Sequence, residues 1–104
     1  MRITKIPIRK RFQDLGEFLK NERLKSSLSQ AEVSDFLNYS SAQFISNIER
    51  GLSSPPLKDL KKLSDLYKIK TNELLKIMFT EQKRWLRFEQ AQIKKELAAK
   101  TKKL

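Results

Sequence analysis

Four polar side chains between positions 43 and 50 could do recognition chemistry. Gln43, Ser46, Asn47 and Arg50 recur at i, i+3, i+4 and i+7, the spacing of one face of an α-helix. Two amides, a hydroxyl and a guanidinium, with no acid among them, present the donors and acceptors that match the edges of nucleic-acid bases. Gln and Asn can each bond adenine twice and Arg can do the same to guanine, each good pair being worth about 1–3 kcal/mol of discrimination. Phe44, Ile45 and Ile48 are expected to form the inward stripe of the same helix.

Competing chemistries are poorly supplied. The 104 residues include no Cys and no His. Disulfides, thiolate metal sites and imidazole acid–base catalysis are thereby excluded. No nucleophile–base pair, phosphate loop or carboxylate cluster can be assembled, so neither an enzyme nor a cofactor or metal is expected. The net charge is +11, from 23 Lys+Arg against 12 Asp+Glu, and implies a polyanionic partner, nucleic acid before anionic membrane. Residues 1–11 hold five basic and no acidic groups, residues 12–70 nine and eight, and residues 71–104 nine and four. A nearly neutral middle is flanked by basic ends. The basic start is not followed by an apolar run of about 7 residues, as a secretory signal would need. Lys76 interrupts the best candidate for the roughly 18 apolar residues of a membrane span. A cytoplasmic, soluble protein is expected.

Elements must hold the polar face in place. Only 2 Gly and 3 Pro, with 34% charged residues, favour an all-α chain. Residues 1–11 contain Pro7 and no helical period and read as a basic arm. Its Arg9, Lys10 and Arg11, with Arg2 and Lys5, either track phosphates and a neighbouring minor groove or form a solvated tail. A first helix is expected from about Phe12 to Lys25, with Leu15, Phe18 and Leu19 on its inner face and Ser26-Ser27 as its break. Gly16 inside it implies close helix packing. Ser29-Gln30-Ala31-Glu32 is a capping box that opens a short second helix, with Val33 and Leu37 facing inward. Asn38 ends that helix, because Asn tolerates left-handed backbone angles.

A third helix should start at Ser40 or Ser41 and stop at Gly51. Gln43 then either reads bases or closes a Ser40 capping box, and Arg50 either contacts nucleic acid or caps its own helix. Ser54-Pro55-Pro56 opens a fourth helix with Leu57, Leu60, Leu63, Leu66 and Tyr67 as its buried stripe. Thr71 caps a fifth, which runs to about Lys100; Leu74, Leu75, Met78 and Phe79 should complete the core. Some 29 helical residues span roughly 43 Å, too long for a compact domain. Trp85, Leu86, Phe88, Ile93 and Leu97 are left over, and their apolar surface implies a partner. Self-association is preferred; docking on the chain's own domain, another protein or a membrane surface are the alternatives.

Two short helices joined by a tight turn bury little alone, but they can present the second helix rigidly to a DNA major groove. The sequence here resembles the Cro/phage-repressor (XRE-like) helix-turn-helix family. The resemblance rests on Leu15-Gly16-Glu17 and Arg23, Leu28-Ser29-Gln30, Glu32-Val33, Ile45-Ser46 and Ile48-Glu49-Arg50-Gly51. Pro55, Leu57, Leu60, Leu63 and Leu66 continue it, so that it covers about residues 12–75. It implies a five-helix, lambda-repressor-like domain over 12–79, preceded by the arm 1–11 and followed by a basic helical extension over 80–104. It further implies a sequence-specific double-stranded DNA-binding transcription regulator, a repressor acting as a homodimer on an inverted repeat. The rival is an antitoxin-like protein that neutralises a partner protein through its C-terminal helix and regulates its own promoter.

The resemblance places Gln30 at a phosphate, against the plainer reading of a solvated side chain. It puts Ser41, Ala42, Gln43, Ser46, Asn47 and Arg50 at or beside the bases. By the same resemblance, Glu49 pairs with Arg23 and ties the third helix to the first. Two departures stand out. Asn38 occupies the usual Gly position, and the turn Asn38-Tyr39-Ser40-Ser41-Ala42 is one residue longer than the commonest form, which shifts the start of the third helix.

Overall fold

The computed structural model describes residues 11–103, with side chains through Lys100. Arg2, Lys5, Arg9 and Lys10 of the expected arm lie outside the described residues. The elements are α1 (Gln13–Lys25), α2 (Gln30–Phe36), α3 (Gln43–Glu49), α4 (Leu57–Leu66) and α5 (Thr71–Lys103), with no strand among the described residues. The fold is all-α, as its composition implies.

Local chemistry sets most of the boundaries. The Ser29 hydroxyl accepts from the Glu32 N–H at 3.0 Å, and the Glu32 carboxylate accepts from the Ser29 N–H at 2.8 Å, which completes the capping box of α2. Past the C-terminal ends of α1, α2 and α4 the chain turns through left-handed residues, Ser27 (φ 58), Asn38 (φ 60) and Lys68 (φ 57). Asn38 thus does the work of the family's glycine. Gly51 ends α3 at φ 80, where an added Cβ would also meet the Gln13 backbone at 2.8 Å.

Leu15 and Leu19 of α1, Val33 and Leu37 around α2, Ile45 and Ile48 of α3, Leu60, Leu63 and Tyr67 around α4, and Leu74 of α5 form one core. Gly16 explains how α3 comes so close. A Cβ there would lie 2.5 Å from the Ile48 carbonyl oxygen and 2.6 Å from that of Glu49, so α1 and α3 cross with backbone against side-chain-free backbone.

The structure corrects three core assignments. Phe44, Leu57 and Phe79 are exposed. Phe44 sits at the edge of α3 and meets Tyr39 edge-on, with ring centroids 5.5 Å apart. Pro56, in extended conformation (ψ 155), serves as the N-cap of α4, which leaves Leu57 on an outward first turn. In α5 the packed face runs through Leu74, Ile77, Met78 and Glu81, at i, i+3, i+4 and i+7, and Phe79 falls off that face.

Helix α5 crosses residues 79–80 without a break, and its contacts with the start of the chain's described part continue through Arg84, on Asp14, to Trp85, on Arg11. Phe12, the N-cap of α1, has no side chain able to cap. The buried Glu81 carboxylate replaces it from α5, accepting from the backbone N–H groups of Asp14 and Leu15, the latter at 2.9 Å. Arg84 adds an ion pair to Asp14 at 3.0 Å.

Candidate nucleic-acid interface

The turn before α3 is anchored before the helix begins. Buried Ser34 donates its hydroxyl to the Ser41 carbonyl at 2.9 Å, and the Tyr39 N–H donates to the Ser34 carbonyl at 3.0 Å. The Tyr39 hydroxyl donates to buried Asp59 at 2.7 Å. Burial, then this bond to a carboxylate, holds the Tyr39 phenol well above its ordinary pKa, so it stays a donor. Ser41 Oγ accepts from the Gln43 N–H at 3.1 Å, and Ala42 is the N-cap. The extra turn residue therefore moves the helix start to Gln43, later than Ser40 or Ser41. A Ser40–Gln43 capping box cannot form there, because Gln43 is the first helical residue.

The rear of α3 is held by a buried ion pair. Arg23 Nε and Nη2 donate to the two Glu49 oxygens at 2.6 and 3.0 Å, with side chains only 9% and 4% exposed. Arg23 Nη1 also donates to the Leu28 carbonyl at 2.9 Å. The hydrogen bond to Glu49 is the main cause of a raised Arg23 pKa, with burial opposing it. The pairing implied by the family resemblance is present, and it turns the only acid of α3 away from the outer face. Gln30 Nε2 donates to Glu49 Oε1 at 3.0 Å, which ties the start of α2 to this clasp and leaves no purely solvated side chain there.

Across the outer face, Asn47 Oδ1 accepts from Gln43 Nε2 at 2.9 Å and from Arg50 Nη2 at 2.8 Å. The structure thus links three of the four predicted base readers in one row, at i, i+4 and i+7. Arg50 reaches a side chain and not the carbonyls of its own helix. Ser46 is half-buried on the flank of the row, while Ser41 is exposed and Ala42 half-buried at its start. Ordering these side chains in advance reduces the roughly 0.5–1.5 kcal/mol of rotamer entropy that each would lose on binding. Two short helices, an anchored turn and an acid-free polar face are now in place, and a comparison with known families matches residues 19–74 to a helix-turn-helix family.

The chain belongs to the Cro/C1-type helix-turn-helix family. Its family makes it a DNA-binding transcription regulator. No curated protein matches it. None of its described helices is long and apolar enough to cross a membrane.

Outside the helix-turn-helix, Arg11 makes contacts within the chain. Its Nε and Nη2 donate to Gln82 Oε1 at 3.2 and 2.8 Å, and its guanidinium lies 5.4 Å from the Phe12 ring and 5.9 Å from the Trp85 ring. Of the five residues assigned to pairing, Trp85 is half-buried under Arg11 and beside Phe88, whose ring is 6.1 Å away. Leu86, Phe88, Ile93 and Leu97 are exposed. Sequence reasoning missed Glu81 and the hydrogen bonds that link Gln43, Asn47 and Arg50. The row was legible in its i, i+4 and i+3 spacing, at which side chains of a helix meet. Glu81 carried only an indirect signal, an α1 with no capping residue of its own.

Proposed function

We propose that this regulator is a sequence-specific repressor that binds an inverted repeat in double-stranded DNA as a homodimer. The observation that carries the reading is the linked row Gln43–Asn47–Arg50 on the acid-free face of α3. In a major groove, Asn47 and Gln43 would exchange their mutual bonds for adenine edges and Arg50 would take a guanine. Gln30 stands at the start of α2, where a phosphate would compete with Glu49 for its amide. The arm residues Arg9 and Lys10 add sequence-independent attraction, released steeply by salt. Bound dimers occlude the polymerase, and the exposed apolar residues of α5 support the pairing.

Selection from a random DNA pool is expected to return an inverted repeat with half-sites about one helical turn apart. Asn47→Ala is expected to lose about 1–3 kcal/mol of preference for that site while melting unchanged. Equal binding of selected and scrambled DNA would overturn the reading. Co-purification with a second small protein in place of self-association would support the antitoxin-like rival.

A further inference from the structure

From Phe79 onward, α5 presents a regular seam. Phe79, Leu86 and Ile93 repeat at seven residues and Leu97 follows four later, and they are 55%, 52%, 54% and 57% exposed. In heptad terms, Phe79, Leu86 and Ile93 take d positions, and Lys83, Gln90 and Leu97 take a positions. The seam lies roughly 130° around the helix from the face that packs on the domain, so the domain does not obstruct it. Basic Arg87 and Lys94 line one flank, at e; acidic Glu89 and Glu96 line the other, at g, and all four are exposed.

We propose that this seam pairs, parallel and in register, with the same segment of a second copy of this chain, as a short coiled coil. The inference rests on the homodimer reading above and adds the surface and its orientation. Charge decides the occupant and the direction. In a parallel pair each g residue meets the e residue five positions on in the other helix. Glu89 then faces Lys94 of the partner subunit, twice by symmetry. An antiparallel pair would set Arg87 against Lys94 and Glu89 against Glu96, like charges on both flanks.

Gln90 points the same way. In the parallel pair it meets its own copy across the seam, where two amides can bond each other; in the antiparallel pair it meets Ile93. Lys83 and Lys100 discriminate nothing, because both orientations place lysine opposite lysine, and their heads can lean out to water. A parallel pair has its two-fold axis along α5 and puts both α3 faces at one end, the symmetry of an inverted repeat.

The chain contains no cysteine, so single introduced thiols report neighbours without background. Full-length Lys83→Cys is expected to form a disulfide-linked dimer under mild oxidation, because facing a positions fall within the ~4.4–6.8 Å Cα range of disulfides. In an antiparallel pair the two introduced thiols would be about 17 residues, or ~25 Å, apart along the helix. Lys94→Glu should weaken dimerisation about tenfold in sedimentation, and Glu89→Lys combined with Lys94→Glu should restore it. Circular dichroism checks that each variant remains helical.

Cross-linking only in a mixture of Lys83→Cys and Lys100→Cys would overturn the parallel arrangement and leave the dimer standing. A dimer that forms neither cross-link would place the pairing surface elsewhere and overturn the inference in the same way. A wild-type chain that stays monomeric at high concentration, with and without DNA, would overturn the dimer reading itself.

Discussion

Each end of α1 is locked by a buried carboxylate, and the two locks are built from different partners. Near its C-terminal end, Arg23 holds Glu49 through two hydrogen bonds, a side-chain ion pair that fixes α3 against α1. At its N-terminal end, Glu81 of α5 accepts from two backbone amides, an interaction that needs no particular side chain on α1. The first lock supports α3 and its polar face; the second supports the helix that carries the exposed apolar seam. Helix α1 is therefore the rigid body between α3 and α5. An ion pair leaves two marks in a sequence, whereas a carboxylate aimed at backbone leaves one.

Breaking the ion pair should have the larger effect. Arg23→Met is expected to destabilise the fold by about 3–5 kcal/mol in urea titration, because it strands a buried carboxylate. Replacing both Arg23 and Glu49 by apolar residues should be far milder, although Gln30 then loses its acceptor. An unmoved urea midpoint for Arg23→Met would mean that the clasp contributes nothing to the fold.

Removing the backbone lock should come next. Glu81→Ala takes the acceptor from the Asp14 and Leu15 amides and is expected to cost about 0.5–2 kcal/mol, the range of a lost helix cap. Glu81→Gln keeps one carbonyl acceptor and should lose less. Hydrogen exchange at Asp14 and Leu15 should quicken in Glu81→Ala before the amides of α3 respond. Uniform quickening across α1 would show that the two locks act as one.

The smallest effect sharpens the chemistry of the first lock. Tyr67 is buried near the Arg23–Glu49 pair, and its phenol is pushed up to about 12, by burial first and by the Glu49 charge second. The folded value exceeds the unfolded value of about 10. The neutral phenol therefore stabilises the fold fully below pH 10, and that contribution fades as pH rises through about 12. Tyr67→Phe should lack this part of the alkaline loss in melting curves taken between pH 9 and 12. Identical alkaline profiles for the two proteins would place the titration at another group.

Features that close within a few residues were readable in the sequence. The Ser29–Glu32 box, the left-handed Asn38 and the stop at Gly51 involve bonds or angles within one turn, where residue type decides the outcome. The outward Gln43–Ser46–Asn47–Arg50 face was readable from period alone. The helix phase was not readable where apolar residues cover most of the circumference. Leu74, Leu75, Ile77, Met78 and Phe79 surround the start of α5, and periodicity could not choose Ile77 over Phe79 for the core.

The sequence by itself determined five helices, the capping box of α2, the stop at Gly51, the polar face of α3 and the family to which the chain belongs. These follow from backbone angles and side-chain spacing along a single element, which are local properties. Tertiary structure alone decided that Gln30 bonds Glu49, that Arg11 turns to Gln82 and Trp85, and that Glu81 caps α1 from 66 residues away. Those contacts depend on how helices cross, and the crossing is set by the whole core, beginning with the close approach that Gly16 permits between α1 and α3.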